Sequence, residues 1–391
     1  LAPQPFFQER GTPIAVKLFL ETLSQGGHQL ELLTYHEGVE VDLPGVVVHR
    51  IPALWGVSNI RPGFSWKKLV CDAAMAVKAL ELARRGRFEV VHAVEEAAFI
   101  AWGIKALYGL PYVYDMDSSL AQQVLDKFPW LAPVAGVLRG AEGRALGHSQ
   151  GVLAVCHSLR DRARQYARQV PVARLEDISL LDDAPGQAAP AEVAGLDGLK
   201  IMYVGNLESY QGIDLLLQGF GLAVADAPEL RLVVIGGAEV DIAKYRAQAE
   251  QTGIERRVSF LGPRPARELG SYLRAADILV SPRVAGDNTP MKIFSYLDSG
   301  RPLLATRLAT HTQVLDDRVA LLVEPEAGDL ARGLTALARD PGLRRELGRQ
   351  GQRRVRLRYS RQAYGRKLDS FYAAVARALN RGAPPAAPRP R

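Results

Sequence analysis

Short apolar runs alternate with longer segments of helical period along nearly the whole chain. In the first half the runs fall at residues 30–34, 46–51, 90–93, 112–114 and 152–155. In the second half they fall at residues 200–204, 230–235, 258–261, 278–280, 302–305 and 320–323. Most are continuous and β-branched rather than alternating, as expected of strands buried on both faces. Helix-length segments separate many of them, among them residues 14–25, 67–84, 97–107, 212–224 and 241–252. Strand–helix alternation of this kind predicts an α/β fold of parallel sheets covered by helices.

The length of 391 residues is too great for one ordinary core and suits two domains. Residues 182–198 are rich in Ala, Pro and Gly, have no strong period and read as a linker. The expected division is a first domain over 1–181, the linker, and a second domain over 199–358. A C-terminal helix over 359–381 is expected to return to the first domain, followed by a disordered tail over 382–391. The chain opens Leu1-Ala2-Pro3-Gln4-Pro5, with no charged region ahead of an apolar stretch, so no signal peptide is expected. It lacks an initiator methionine, and a short first strand ahead of Leu1 is expected. Residues 97–107, the most apolar helix candidate, are too few to span a bilayer and include Lys105.

Composition adds little, with 48% hydrophobic and 23% charged residues, as in ordinary globular proteins. The net charge of +7 suits a phosphate-bearing ligand, an anionic membrane surface or nucleic acid, and equally a plain solvated surface. No stacking motif or recognition helix accompanies it, so no nucleic-acid partner is expected. The two cysteines, Cys71 and Cys156, have no cysteine or histidine partner at zinc-ligand spacing, and no metal site is expected. Cys156 ends an apolar run and reads as core. Two thiols so far apart fit a reducing compartment.

Three loops can carry chemistry. Gln8-Glu-Arg-Gly-Thr-Pro13 precedes a helix, with Gly11 permitting a tight turn and Pro13 suiting the first helical turn. Free amides there attract phosphate or carboxylate, although a simple helix entry explains the pattern as well. After the strand at 200–204, Gly205 lets a ligand approach the backbone at the strand's C-terminal end, and Gly236-Gly237 recurs after the strand at 230–235. The third loop runs from Ser281 to a helix expected near Pro290. Asn288 and Thr289 offer amides there, with Thr289 a plausible cap. Lys292 can reach a diphosphate as a point charge, and Asp287 can accept from sugar hydroxyls.

In this third segment the chain resembles the retaining glycosyltransferases of family 4. These share the GT-B fold, two Rossmann-like domains whose parallel sheets face a central cleft. The resemblance extends over nearly the whole chain. It includes Gly27-His-Gln-Leu30, Glu89-Val-Val-His-Ala93, Val204-Gly-Asn-Leu207 and Gln211-Gly-Ile-Asp-Leu-Leu216. It continues through Val258-Ser-Phe-Leu-Gly262, Ala276-Asp-Ile-Leu-Val-Ser-Pro282 and Ser299-Gly-Arg-Pro302. The resemblance implies a nucleotide-sugar donor in the second domain and an acceptor against the first. The family's two signature glutamates fall at Asp287 and Ser295, so the carboxylate that would hold the ribose is lost. Its usual basic pair falls at Asn206 and Gln211, both uncharged. A histidine that often follows the strand at 112–114 falls at Asp117, and a further glutamate falls at Gln313.

The resulting expectation is a retaining, metal-independent hexosyltransferase acting on a saccharide or lipid-linked acceptor, with no cofactor beyond the nucleotide-sugar co-substrate. Lys292, Asp287 and Asp117 are the expected catalytic residues. Gly11, Thr12, Gly205, Asn206, Gln211, Gly236, Arg283, Asn288, Thr289 and Ser295 are the expected donor contacts. The basic and aromatic residues of Arg61-Pro-Gly-Phe-Ser-Trp-Lys-Lys68 suit a membrane interface. The expected location is cytoplasmic, with peripheral attachment to the cytoplasmic membrane face. The rival readings are a degenerate nucleotide-sugar-binding or partner protein of the same fold, and, more distantly, a GT-B epimerase or phosphorylase.

Overall fold

The computed structural model describes residues 1–8, 11–60, 65–181, 188–286 and 288–382. Asp287, the first half of the Arg61–Lys68 motif (61–64), the first part of the linker (182–187) and nearly all of the tail lie outside the described residues. The chain forms two compact units, Leu1–Glu176 together with Tyr364 onward, and Asp177–Ala363.

The first unit runs α1 (Gly11–Gln25), β1 (Leu30–Thr34), β2 (Val46–Arg50), α2 (Trp66–Ala83), β3 (Val91–Val94), α3 (Ala97–Tyr108) and β4 (Tyr112–Met116). It continues with α4 (Leu120–Lys127), α5 (Ala135–His148), β5 (Gly151–Ala154), α6 (His157–Tyr166) and β6 (Val172–Arg174). β1 pairs with β2, while β3, β4, β5 and β6 form a separate sheet in that order, and every pairing is parallel. The continuous apolar character of β4 and β5 has the expected cause, since Tyr112, Val113, Tyr114, Val152 and Ala154 are all fully buried between helices. Helix starts are set locally: Ser65 caps α2 by accepting from the Lys68 amide at 3.2 Å, and Ser119 caps α4 through the Gln122 amide.

The second unit opens with the short α7 (Ala191–Ala194), then β7 (Leu199–Val204), α8 (Ile213–Asp226), β8 (Leu230–Ile235), α9 (Glu239–Gln251) and β9 (Val258–Gly262). It goes on through α10 (Leu269–Ala275), β10 (Ile278–Ser281), α11 (Lys292–Asp298), β11 (Leu303–Thr306) and α12 (Ala309–Thr312). β12 (Leu321–Val323), α13 (Ala327–Arg339) and α14 (Pro341–Arg358) complete it. Its six strands lie in the order β12-β11-β10-β7-β8-β9, again all parallel. Two apolar cores, one on each face of this sheet, bury alternate residues of the same strands: Ile201 and Val234 on one side, Met202 and Val233 on the other.

The last helix, α15 (Arg361–Gly382), packs on the first unit. Phe371 and Val375 lie against Gly151, where an added Cβ would come within 2.8 Å of either side chain. The Tyr372 hydroxyl lies 2.8 Å from His92 Nδ1, and Lys367 pairs with Glu176 at 2.6 Å. Among the described residues no helix is long and apolar enough to cross a membrane.

Candidate active site

In an open parallel sheet, ligands bind beyond the strand C-termini where successive connections leave in opposite directions. In the second unit that point lies between β7 and β10, because the chain builds β8 and β9 on one side and β11 and β12 on the other. Two loops meet there. The loop after β7 carries Gly205, Asn206 and a one-turn 3-10 helix, Ser209–Gln211. The loop after β10 runs from Pro282 to α11, and its Val284 amide donates to the Tyr210 carbonyl at 3.0 Å.

Lys292 is the first residue of α11, and its side chain reaches back under the β7 loop. Its Nζ donates to Gln211 Oε1 at 3.0 Å and lies 3.9 Å from the centroid of the Tyr203 ring. Gly205 makes room for it. This glycine has φ 151°, and a Cβ there would fall 2.9 Å from Lys292 Nζ and 3.0 Å from the Tyr203 hydroxyl. Gly236, at φ 103°, in turn makes room for Gly205, whose carbonyl oxygen would lie 2.2 Å from a Cβ at 236. The recurrence of glycine at successive strand ends is thus a packing requirement of one loop upon the next.

Arg283 lies on the other side of the same loop and is only 6% exposed. Its Nη1 donates to the Asn288 carbonyl at 2.7 Å and lies within 3.4 Å of Asn288 Oδ1, and its guanidinium sits 5.0 Å from the Tyr210 ring centroid. Thr306 anchors the Arg283 backbone, donating from Oγ1 to its carbonyl at 2.6 Å. Beneath it, His311 Nδ1 lies 2.8 Å from the Thr306 carbonyl, which fixes that nitrogen as the donor. Nε2 then accepts from the Ser281 hydroxyl at 2.9 Å. Burial pushes the His311 pKa down to about 4, so the ring is neutral at pH 7 and serves as a brace between β10 and β11.

The electrostatics of Lys292 are unusual. Burial, then the Arg283 guanidinium nearby, hold its pKa well below the ordinary lysine value. Among the described residues no carboxylate forms an ion pair with it. Among the described residues the Lys292 side chain thus has a neutral hydrogen-bond partner, Gln211, and the Arg283 guanidinium nearby.

Two sequence expectations need correcting. α11 begins at Lys292, with Met291 at the cap position and no side-chain cap, so Thr289 does not cap it. Thr289 is instead buried in the preceding loop. Ser295 is fully buried, and its hydroxyl accepts from the Leu180 amide at 3.0 Å. It faces the interior of its own unit and has no surface to present to a ribose. Asn206 and Asn288 are exposed at the loop rims, Asn206 within 3.5 Å of the Tyr210 hydroxyl.

In the first unit, Gly11 and Thr12 head α1, and Asp117 follows β4, half-buried. Sequence reasoning missed the group beside Asp117. Glu95 closes β3 with a left-handed φ of 49°, rare for a residue with a Cβ. Its carboxylate accepts from Ser118 Oγ at 2.7 Å. Burial, then the neighbouring Glu96, raise its pKa. Glu96 is ion-paired with Lys68. The signal available was a pair of acids one residue beyond the apolar run at 90–93. Asp115, by contrast, bonds His92 Nε2 at 2.9 Å.

Residues 10–179 match the family model described as a glycosyl transferase 4-like domain, and residues 198–340 match that of glycosyl transferases group 1. The chain is 25% identical to the D-inositol 3-phosphate glycosyltransferase of Pseudarthrobacter chlorophenolicus over 94% of this chain and 91% of that one. It is 24% identical to the phosphatidyl-myo-inositol mannosyltransferase of Mycobacterium leprae over 96% of each. Its fold is similar to that of sucrose-phosphate synthase from Thermosynechococcus elongatus, at TM-score 0.72 and 17% identity over 94% of each chain. It is also similar to Anabaena Alr3699/HepE in complex with UDP, at TM-score 0.70 and 14% identity over 95% of this chain and 98% of that one. Two Rossmann-like parallel-sheet units and matches to both family models establish that the chain belongs to the family 4 glycosyltransferases of GT-B fold.

Proposed function

We propose that this glycosyltransferase moves a hexosyl group from a nucleoside diphosphate sugar with retention of configuration, using Lys292 rather than a metal ion to receive the diphosphate. The observation that carries this reading is the Lys292 ammonium, half-buried against Tyr203 and Gly205 at the sheet's switch point without a described carboxylate partner. Such a charge is poorly solvated when the site is empty and is stabilised when the β-phosphate arrives. Negative charge grows on that phosphate as the glycosidic bond breaks, so Lys292 acts most strongly in the transition state. Arg283 holds the Asn288 end of the loop, and the amides of Asn288 and Thr289 supply further donors. The departing phosphate can itself take the acceptor proton, so a pair of carboxylates at hydrolase spacing is not required. No further cofactor is needed for this chemistry.

The acceptor binds against the first unit in this reading, with Asp117 and the neighbouring Glu95 able to hold hydroxyl groups. The relatives named for inositol phosphate and phosphatidylinositol acceptors make an inositol-bearing acceptor the first class to try. Exposed Trp66, Leu69 and Val70 on α2, following Trp55, support a peripheral membrane role at the cytoplasmic face.

Donor turnover of Lys292→Ala is the direct test, with UDP- and GDP-hexoses as donors and inositol phosphate as acceptor. A loss of 100-fold or more, roughly the scale for deleting one oxyanion donor, supports the reading. Unchanged turnover removes Lys292 from the mechanism. Stabilisation by nucleotide without turnover of any donor would favour a nucleotide-sugar-binding protein, the reading suggested by the uncharged Asn206 and Gln211.

A further inference from the structure

β7 and β10 flank the switch point of the second unit, and the ladder between them is short. Ile278 lies opposite Ile201 and Leu279 opposite Met202, and the pairing stops there. On its other side β7 pairs with β8 as far as Val204 opposite Ile235. The reason lies in the sequence of β10. In a parallel ladder a residue turns its amide and its carbonyl toward the same neighbour, and successive residues alternate sides. Met202 turns toward β10, so Val204 does too, while the Gly205 amide goes the other way, to the Ile235 carbonyl at 3.0 Å. Continued by two residues, the ladder would need the nitrogen of residue 282 to donate to the Val204 carbonyl. That residue is Pro282, which has no N–H.

Tyr296 takes the place of the missing strand partner. Its hydroxyl accepts from the Val204 amide at 2.7 Å and donates to the Val204 carbonyl at 3.2 Å, and the residue is fully buried. A hydroxyl can accept and donate at once, so one side-chain oxygen satisfies both polar groups of Val204, which are costly when left unpaired. The same contact sets a helix. Lys292 is the first residue of α11 and Tyr296 the fifth, one turn apart on one face. They rest on consecutive residues of β7, the Lys292 ammonium over the Tyr203 ring and the Tyr296 hydroxyl on Val204. Gly205 follows directly, and a Cβ there would fall 2.9 Å from Lys292 Nζ.

We propose that Tyr296 is a positioning residue of the donor site, its hydroxyl holding the ends of β7 and β10 apart and fixing the turn of α11 that presents Lys292. This rests on the reading of Lys292 as the partner of the donor diphosphate. Tyr296 touches no ligand in this role and acts through the lysine. Pro282 ends the ladder, Tyr296 satisfies the strand end so exposed, and the space between the strands is left to the Gly205 backbone and the Lys292 side chain. Without the hydroxyl, the Val204 peptide groups seek other partners, and α11 loses its fixed height above β7.

Tyr296→Phe keeps the ring and removes the hydroxyl. Hydrogen exchange of the Val204 amide and UDP affinity are measured in wild type, Tyr296→Phe, Lys292→Met and the double variant. In wild type the Val204 amide, although it has no strand partner on that side, is expected to exchange about as slowly as that of Met202. Exchange at the rate of an open loop overturns the proposal without any variant. Tyr296→Phe is expected to speed Val204 exchange and to weaken UDP binding about tenfold, the scale of one well-placed hydrogen bond. In the Lys292→Met background the same change is expected to leave UDP affinity within about twofold, because the lysine through which it acts is gone. A loss of equal size in both backgrounds overturns the proposal, since a merely structural tyrosine weakens binding whatever stands at 292. Unchanged UDP affinity in Tyr296→Phe, where Lys292→Met does weaken it, overturns this proposal alone. Lys292→Met binding UDP as wild type does overturns the donor reading, and this proposal with it.

Discussion

The Lys292 ammonium donates to Gln211 Oε1 at 3.0 Å from a helix 81 residues away in sequence, across the switch point of the second unit's sheet. A neutral amide orients this lysine but leaves its charge uncompensated. Lys292 thus has directional order without an ion-pair partner among the described residues, and the consequences can be measured both in the empty protein and on ligand binding.

Replacing Lys292 with Met is expected to stabilise the fold while abolishing donor use. The folded pKa lies well below the ordinary value near 10.5, chiefly through burial. Between the two values the unfolded chain binds the extra proton, so wild-type stability rises with pH toward about 10.5. Lys292→Met lacks that slope and the penalty that causes it. At pH 7 its urea midpoint should exceed that of wild type, and the gap should close by pH 10. A gap that is flat with pH would show that the lysine is fully solvated in the empty protein.

Donor binding is expected to draw a proton from solution. A diphosphate beside Lys292 favours its charged form and raises its pKa toward the ordinary value. Calorimetry of UDP binding at pH 8 in buffers of different ionisation enthalpy measures this uptake. The apparent enthalpy should vary with buffer in wild type, and the variation should shrink in Lys292→Met at ligand concentrations high enough to saturate both.

Much of the scaffold was legible because buried parallel strands declare themselves as continuous apolar runs. β8 spans Leu230–Ile235, the same residues as its apolar run, and β1 likewise matches its run. β6 was missed because its three residues, Val172–Arg174, are only half-buried and too few to show a pattern. The site was less legible. Ile293 to Leu297 are buried without interruption, so α11 shows no apolar stripe that would tell Ser295 from a ligand-facing residue. The bond that turns Ser295 inward comes from Leu180, 115 residues distant, and no local spacing encodes it. The meeting of Gly205 with Lys292 is equally non-local, although glycine after a buried strand was a fair signal that something approaches there.

Gly205→Ala and Gly236→Ala should separate binding from folding. At Gly205 the new methyl group meets the flexible end of Lys292 at 2.9 Å and the Tyr203 hydroxyl at 3.0 Å. The lysine can yield, so the loss should fall on donor affinity, by tenfold or more, with a backbone strain of about 1–3 kcal/mol. At Gly236 the methyl group meets the Gly205 carbonyl oxygen at 2.2 Å, and backbone cannot move aside cheaply. Its Tm should fall further than that of Gly205→Ala. Thermal melts with and without UDP check both outcomes, and the order of the two Tm losses decides between a packing role and a purely ligand-facing one.

A half-buried acid in the first unit gives a prediction of opposite pH sign to that of Lys292. Asp72 Oδ1 accepts from the Tyr35 hydroxyl at 2.5 Å. Burial, then the Glu96 carboxylate, push the Asp72 pKa up to about 7. The unfolded value lies near 3.8, so between pH 4 and 7 the native state holds a proton that the unfolded state releases. Stability from this group is therefore present at acid pH and lost as pH rises through 7. Asp72→Asn keeps an acceptor for Tyr35 and removes the ionisation. It should match wild type near pH 4 and exceed it at pH 8 by on the order of 1–2 kcal/mol. Urea denaturation of both proteins at the two pH values measures the difference, and a variant less stable than wild type at pH 8 would mean that the Asp72 charge is compensated within its surroundings.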